Sequence, residues 1–187
     1  MKIYAFIFAR GGSKGIKKKN IVKLNRKPLI LHTIHLAKKL KYIEKIFVST
    51  DDKEIRKIAI SSGVNVISRP SYLATDKSSE WKSWQHAVKY IKKNEEKFDI
   101  FLSLPSTSPL RSLDDINKSI KLLTKKVDIV VTIAKANRNP WFNMVKKDKN
   151  GYLKIVNKIK KTIIRRQDAP EVYDLTTIAY VTRPKFI

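Results

Sequence analysis

The run from Ile3 to Phe8 is apolar at every position, the pattern of a strand buried on both faces. Behind Pro28, which suits the opening of a helix, Leu29, Ile30, Thr33, Ile34, Leu36, Ala37 and Leu40 recur at helical spacing. Ile46 to Thr50 predicts a second strand. Asp51 and Asp52 can cap a helix that carries Ile55, Ile58 and Ala59, and Gly63 ends it before a third strand, Val64 to Ile67. A polar loop over 68–78 leads to a helix from about Ser79 to Asn94, with Trp81, Trp84, Ala87, Val88 and Ile91 facing inward. Asp99 to Leu104 predicts a strand, Ser112 caps a helix over 113–123, and Asp128 to Ile133 predicts another buried strand.

Strand and helix therefore alternate, which predicts an α/β fold with a mainly parallel central sheet and helices on both faces. In such folds ligands sit beyond the carboxyl ends of the strands, where the loops after Phe8, Thr50, Ile67 and Leu104 should gather. From Ala134 the rhythm changes. Trp141 to Val145 and Tyr152 to Val156 predict a hairpin around Lys149-Asn150-Gly151. A basic stretch, Lys158 to Arg166, precedes one more strand, Thr177 to Thr182. We read residues 1–187 as a single domain, with 134–165 an insertion projecting from the sheet; no internal repeat is evident.

The 187 residues suffice for one sizeable core. The absence of cysteine excludes disulfides and thiolate-bound metals. No apolar stretch approaches the roughly 18 residues of a membrane helix, and the amino-terminal run is too short for a signal peptide, so a cytoplasmic protein is expected. A net charge of +25 raises the question of nucleic acid. The excess is lysine, spread along the whole length, whereas arginine is the better residue for bidentate phosphate and base contacts. That favours a solvated basic surface over a nucleic-acid partner.

The most informative segment is Arg10-Gly11-Gly12-Ser13-Lys14-Gly15, followed by Lys17, Lys18, Lys19 and Asn20. Glycines directly after a buried strand let backbone N–H groups face an anion that basic side chains neutralise. The segment lacks both the P-loop pattern and the G-x-G-x-x-G fingerprint, and taken alone it also fits a basic strand-to-helix turn. No G-x-S-x-G is present, and His32, His35 and His86 have no metal-ligand spacing.

Phe8 to Gly15 with Lys19-Asn20 resembles the A-R-G-G-S-K-G-[IL]-x-x-K-N signature of the CMP-N-acylneuraminate (CMP-sialic acid) synthetases. Four more stretches agree in order and spacing: Val48 to Asp52; Arg69-Pro70 with Leu73-Ala74-Thr75-Asp76 and Ser78-Ser79; Pro105 to Arg111; and Arg166 to Pro170. The resemblance implies a Rossmann-like nucleotidyltransferase domain with a dimerisation arm, and hence a homodimer in which the arm closes a neighbour's site. It implies attack by the anomeric hydroxyl of a sialic-type sugar acid on the α-phosphorus of CTP, with release of pyrophosphate. Such chemistry depends on positioning and charge neutralisation.

Carried over by resemblance, Arg10, Gly11, Gly12, Ser13, Lys14 and Lys19 hold the triphosphate and Asn20 the nucleotide nearby. Arg10 and Lys19 are the expected catalytic cations. Arg69 and Ser79 match positions for cytosine and ribose; a guanidinium can donate to cytosine O2 and N3. Ser106, Thr107, Ser108 and Arg111 are expected at the substrate, and Arg166 with Gln167 at the sugar carboxylate. Asn139 to Phe142 lies in the arm, its aromatics read as packing.

The resemblance also implies Mg²⁺ held by closely spaced aspartates after the last strand. No matching acidic pair stands in this sequence, so a chain truncated at its C-terminus, with its metal ligands outside it, is expected. Pro105 stands where many members have glutamine, and Asp174 where relatives carry a basic residue. The sugar acid is therefore open among sialic, legionaminic, pseudaminic and octulosonic types. A catalytically inactive nucleotide-binding homologue and a basic nucleic-acid-binding protein are the alternatives.

Overall fold

The structure, a computed structural model, describes residues 1–94, 97–158 and 163–187. Its elements in chain order are β1 (Ile3–Phe8), β2 (Lys23–Leu24), β3 (Lys27–Pro28), α1 (Leu29–Lys39), β4 (Ile43–Thr50), α2 (Lys53–Ser61), β5 (Asn65–Ser68) and α3 (Glu80–Asn94). Then come β6 (Ile100–Ser103), α4 (Leu113–Leu122), β7 (Ile129–Lys135), β8 (Val145–Lys147), β9 (Leu153–Ile155) and β10 (Tyr173–Thr182), with short 3₁₀ turns at Lys19–Ile21, Ser71–Leu73 and Arg166–Asp168. The chain forms two compact units, Met1–Thr132 with Thr177–Ile187, and Ile133–Thr176.

The central sheet has the order β5-β4-β1-β6-β10-β7. β1 pairs in parallel with β4 and β6, and β4 in parallel with β5, whereas β10 runs antiparallel to β6. Because successive strand side chains point to opposite faces, the unbroken apolar run of β1 feeds two cores. Ile3, Ala5 and Ile7 join Ile30, Ile34 and Ala37 of α1, Ile55 and Ala59 of α2 and Ile116 of α4. Tyr4 and Phe6 join Phe47, Phe98, Phe101 and, from α3, Trp84, Ala87, Val88 and Ile91. This second face is aromatic, with Phe6 stacked on Phe101 at 4.3 Å and Tyr4 on Phe98 at 4.8 Å. Offset stacks of this kind add stability beyond the area they bury. The mainly parallel sheet covered on both faces is thus as expected.

Local chemistry sets the helix ends. The Asp52 carboxylate accepts from the Glu54 and Ile55 amides at 2.8 and 2.9 Å, satisfying orphan N–H groups of α2. Gly63 follows α2 at φ +61, a conformation that side chains with a Cβ resist. Ser112 and Asp115 form a reciprocal capping box on α4.

Three expectations need correction, and one element is added. Val130 is the one buried residue of β7, because that strand lies at the sheet edge with one lateral neighbour. The hairpin of the second unit is shorter than its sequence suggests. Only Val145–Lys147 and Leu153–Ile155 pair, while 141–144 form a turn held by Asn139, whose Oδ1 accepts from the Trp141 amide at 2.9 Å. Trp81 is half-buried rather than core, packing on Trp84 and Phe186. The small hairpin β2–β3 was not foreseen; its turn residues Asn25 and Arg26 both take positive φ, 47 and 63, as a two-residue primed turn requires. The expected basic stretch 158–166 falls partly on residues 159–162, outside the described ones. No described helix is long and apolar enough to cross a membrane.

Candidate functional site

The loops that leave the carboxyl ends of β1, β5 and β6 line one cavity of about 600 Å³, within the range of small-ligand sites. Phe8, Arg10, Ser13, Lys14, Lys19 and Asn20 come from the first loop; Arg69, Asp76, Ser78, Glu80 and Ser83 from the second loop and α3. Pro105, Ser106 and Thr107 follow β6, and Thr177 belongs to β10. Thr177 arrives there because β10 is antiparallel: with Tyr180 opposite Ser103, the start of β10 lies beyond the carboxyl end of β6. The alternating rhythm gave no sign of this residue. The loop after β4 supports the floor, the Gly11 amide donating to Asp51 Oδ1 at 3.1 Å.

The glycine-rich loop is pinned from beneath. Asn20 is buried; its Nδ2 donates to the Arg10 carbonyl at 2.9 Å and its Oδ1 accepts from the Ser106 hydroxyl at 2.5 Å. Asn20 and Ser106 thereby tie the loops after β1 and β6 together. Gly11 is required by close approach: a Cβ there would lie 2.6 Å from Asp52 Oδ2. Gly12 faces open space.

Arg10 donates from Nη2 to Asp76 Oδ1 at 2.6 Å and from Nη1 to the Ala74 carbonyl at 3.3 Å. Lys14 Nζ lies 2.7 Å from Asp76 Oδ2. The Lys14 and Arg10 cations hold the Asp76 carboxyl below the usual carboxylate range. Among the described residues Lys19 has no ion-pair partner. Asp76 was quoted within a motif but given no role; its place three residues beyond Leu73 does not disclose that it faces Arg10.

Arg69 is buried and, among the described residues, has no ion-pair partner. Its Nε donates to Ser49 Oγ at 3.2 Å, its Nη2 to the Ser49 carbonyl at 2.7 Å, and its guanidinium sits 5.5 Å from the Phe8 ring centroid. Burial pushes its pKa down to about 10, so it stays a cation at neutral pH. Two hydrogen bonds leave three of its five donors for a ligand. Ser78, whose buried Oγ has no partner, lies in the same lining.

Several expected residues stand elsewhere. Ser79 is exposed at the start of α3, its hydroxyl accepting from the Lys82 amide at 3.4 Å; Ser78 and Glu80 line the cavity instead. Arg111 is buried within its own turn, donating from Nε to the Ser108 carbonyl at 2.7 Å and from Nη2 to the Pro105 carbonyl. Burial pushes its pKa down to about 10. It fastens the 105–111 turn rather than facing the cavity. Ser108 bonds Thr177 Oγ1 at 2.8 Å, and Thr107 reaches the same oxygen at 3.2 Å. Arg166 and Gln167 are exposed in the second unit, where Arg166 Nη2 donates to the Ala136 carbonyl at 2.9 Å.

Sequence comparison gives the site its relatives. The pattern of the cytidylyltransferase family matches residues 4–185. The post-translational flagellin modification protein B of Campylobacter coli is 34% identical over 100% of this chain and 79% of its own length. A CMP-N,N'-diacetyllegionaminic acid synthase of Campylobacter jejuni is 32% identical over the same shares, 100% and 79%. An N-acylneuraminate cytidylyltransferase of Escherichia coli is 37% identical over 73% of this chain, which spans 32% of that longer protein. Among solved structures, a CMP:2-keto-3-deoxy-manno-octonic acid synthetase complexed with CTP matches with a TM-score of 0.72 at 17% identity, over 100% of this chain and 76% of that one. That likeness is one of fold.

Proposed function

The chain belongs to the cytidylyltransferase family, and from that premise we propose that it transfers CMP from CTP to the anomeric hydroxyl of a nonulosonic, sialic-type sugar acid. One observation carries the reading. The cations of the glycine-rich loop and a buried arginine with free donors converge on a single cavity at the carboxyl end of a parallel sheet.

In this mechanism the loop amides around Gly12 and Ser13, with Arg10, Lys14 and Lys19, hold the triphosphate. Arg69 and Ser78 face the base. Arg69 can donate to cytosine O2 and N3, whereas uracil offers a donor at N3 and loses that bond. The sugar hydroxyl attacks the α-phosphorus; its O–P bond forms as the bond to the β-phosphate oxygen breaks. The hydroxyl proton leaves to solvent, and pyrophosphate departs against Arg10 and Lys19, where its growing charge is neutralised. The Asn20–Ser106 hydrogen bond keeps the loop amides in place during these steps.

Mg²⁺ is part of this reading, as a charge neutraliser on the triphosphate. The cavity's carboxylates do not fit it as they stand: Asp76 is taken by Arg10 and Lys14, and Glu80 Oε1 by the Trp84 indole at 3.2 Å. No group of three acidic or histidine side chains gathers among the described residues.

The reading includes a homodimer formed through the second unit. Leu153, Tyr152, Tyr173 and Leu175 of that unit are each at least half exposed, an apolar surface of the sort that marks interfaces. Sedimentation at micromolar concentration is expected to give twice the 21.6 kDa chain mass; a monomer at every concentration contradicts it.

The activity test is pyrophosphate release from CTP with a panel of keto-sugar acids, with and without Mg²⁺. Release that needs both substrates is expected, and Arg10→Ala should lower kcat about 10²–10³-fold, as removal of a transition-state donor does. Arg10→Ala with wild-type turnover would contradict the assignment.

A further inference from the structure

We propose that Asp76 is an internal competitor for the phosphate groups of the substrate: its carboxylate occupies the phosphate-binding cations until a polyphosphate displaces it, and returns to them when pyrophosphate leaves. The inference rests on the reading of the cavity as a triphosphate site.

The geometry supplies both halves of the exchange. One carboxylate oxygen of Asp76 takes Arg10 Nη2 at 2.6 Å and the other takes Lys14 Nζ at 2.7 Å. Two negatively charged oxygens are thus presented to two cations of the glycine-rich loop, the arrangement in which phosphate oxygens would meet them. The backbone follows suit: the Gly11 amide, a natural phosphate donor, is given to Asp51 Oδ1. The pairing is also loose enough to exchange. Asp76 and Arg10 are about a third exposed and Lys14 is almost wholly so, so each ion pair is weak by itself and the hold on Asp76 comes from the two together. Asp76 sits in the segment between the 3₁₀ turn Ser71–Leu73 and α3, so it can withdraw without breaking an element.

Two consequences follow from the exchange. An anion must bring several charges to outcompete Asp76, which favours triphosphates over monophosphates. After transfer, the carboxylate's return hastens the departure of pyrophosphate. Asp76 therefore acts on substrate selection and product release as a positioning residue, through Arg10 and Lys14.

The test is calorimetric titration of inorganic tripolyphosphate into the full chain and its variants. Asp76→Asn is expected to bind it about tenfold more tightly, and Asp76→Ala, which cannot accept from Arg10 at all, at least as tightly. Glu80→Gln removes the same charge from the same cavity without touching Arg10, and is expected to change affinity less than about twofold. The gain from Asp76→Asn should shrink in an Arg10→Gln background, because the two residues are coupled. Unchanged or weaker binding by both Asp76 variants would overturn the proposal, as would an equal gain in Glu80→Gln. A parallel titration of CTP into the wild-type chain separates the questions: no CTP binding counts against the cytidylyltransferase reading, while the tripolyphosphate comparison still decides the role of Asp76.

Discussion

Gly11 shows how tightly a single position joins the site to the scaffold. Its missing side chain lets the loop after β1 lie against Asp52, where a Cβ would meet Oδ2 at 2.6 Å and the Asp52 Cβ at 2.9 Å. Asp52 in turn caps α2. Gly11→Ala is therefore expected to push Asp52 off its amides and to cost about 0.5–2 kcal/mol, the usual value of a lost cap. A melting temperature lowered by about 2–4 °C per kcal/mol would report it. An unchanged melting temperature would show that the loop yields instead. At this scale the structure brings Arg10, Lys14, Lys19, Asn20 and Arg69, all singled out in the sequence by short motifs, to the lining of one cavity. Ser79 and Arg111 stand outside that lining. A serine at a helix start or an arginine in a proline-flanked turn has a structural use that spacing cannot separate from a ligand contact. Asp76 and Thr177 were passed over because their partners lie 66 and 70 residues away.

Elements were more legible than residues. Every strand of the parallel part announced itself by an apolar run and every helix by an apolar stripe, with a capping residue at the start of α2 and α4 and a glycine after α2. α4 is the clearest case: the Ser112 hydroxyl accepts from the Asp115 amide at 3.1 Å, and Asp115 returns the bond. Ser112→Ala is expected to destabilise the fold by about 1 kcal/mol while leaving nucleotide binding untouched, since α4 lines none of the cavity. Thermal melts with and without CTP check both halves; an altered CTP shift would tie α4 to the site. The antiparallel course of β10 and the edge position of β7 were not legible. Alternation and burial along one strand do not record which neighbour it will have. That ordering matters for function, because it is β10 that carries Thr177 to the cavity rim beside Thr107 and Ser108.

For the molecule as a whole, the net charge of +25 is the feature most open to misreading. A field of that size draws any polyanion and makes association depend steeply on salt. The cations that matter to the proposed reaction are few, and they are distinguished by position: Arg10 and Lys14 held on Asp76, Lys19 with no ion-pair partner among the described residues, Arg69 buried over Phe8. Charge alone predicts no preference among nucleotides, whereas a buried guanidinium and an unpartnered buried hydroxyl in the lining of one cavity predict a preference for one base. Thermal stabilisation by CTP compared with UTP, ATP and GTP, at fixed salt with and without Mg²⁺, separates the two. At a concentration about 100 times Kd, a ligand adds about 2.7 kcal/mol to the folded state, or about 5–10 °C for a chain of this size. The account predicts a rise of that order with CTP and little with the other three, lost in Arg69→Ala. Equal shifts with all four nucleotides would mean that surface charge is acting, and would contradict the claim that this cavity is built for CTP.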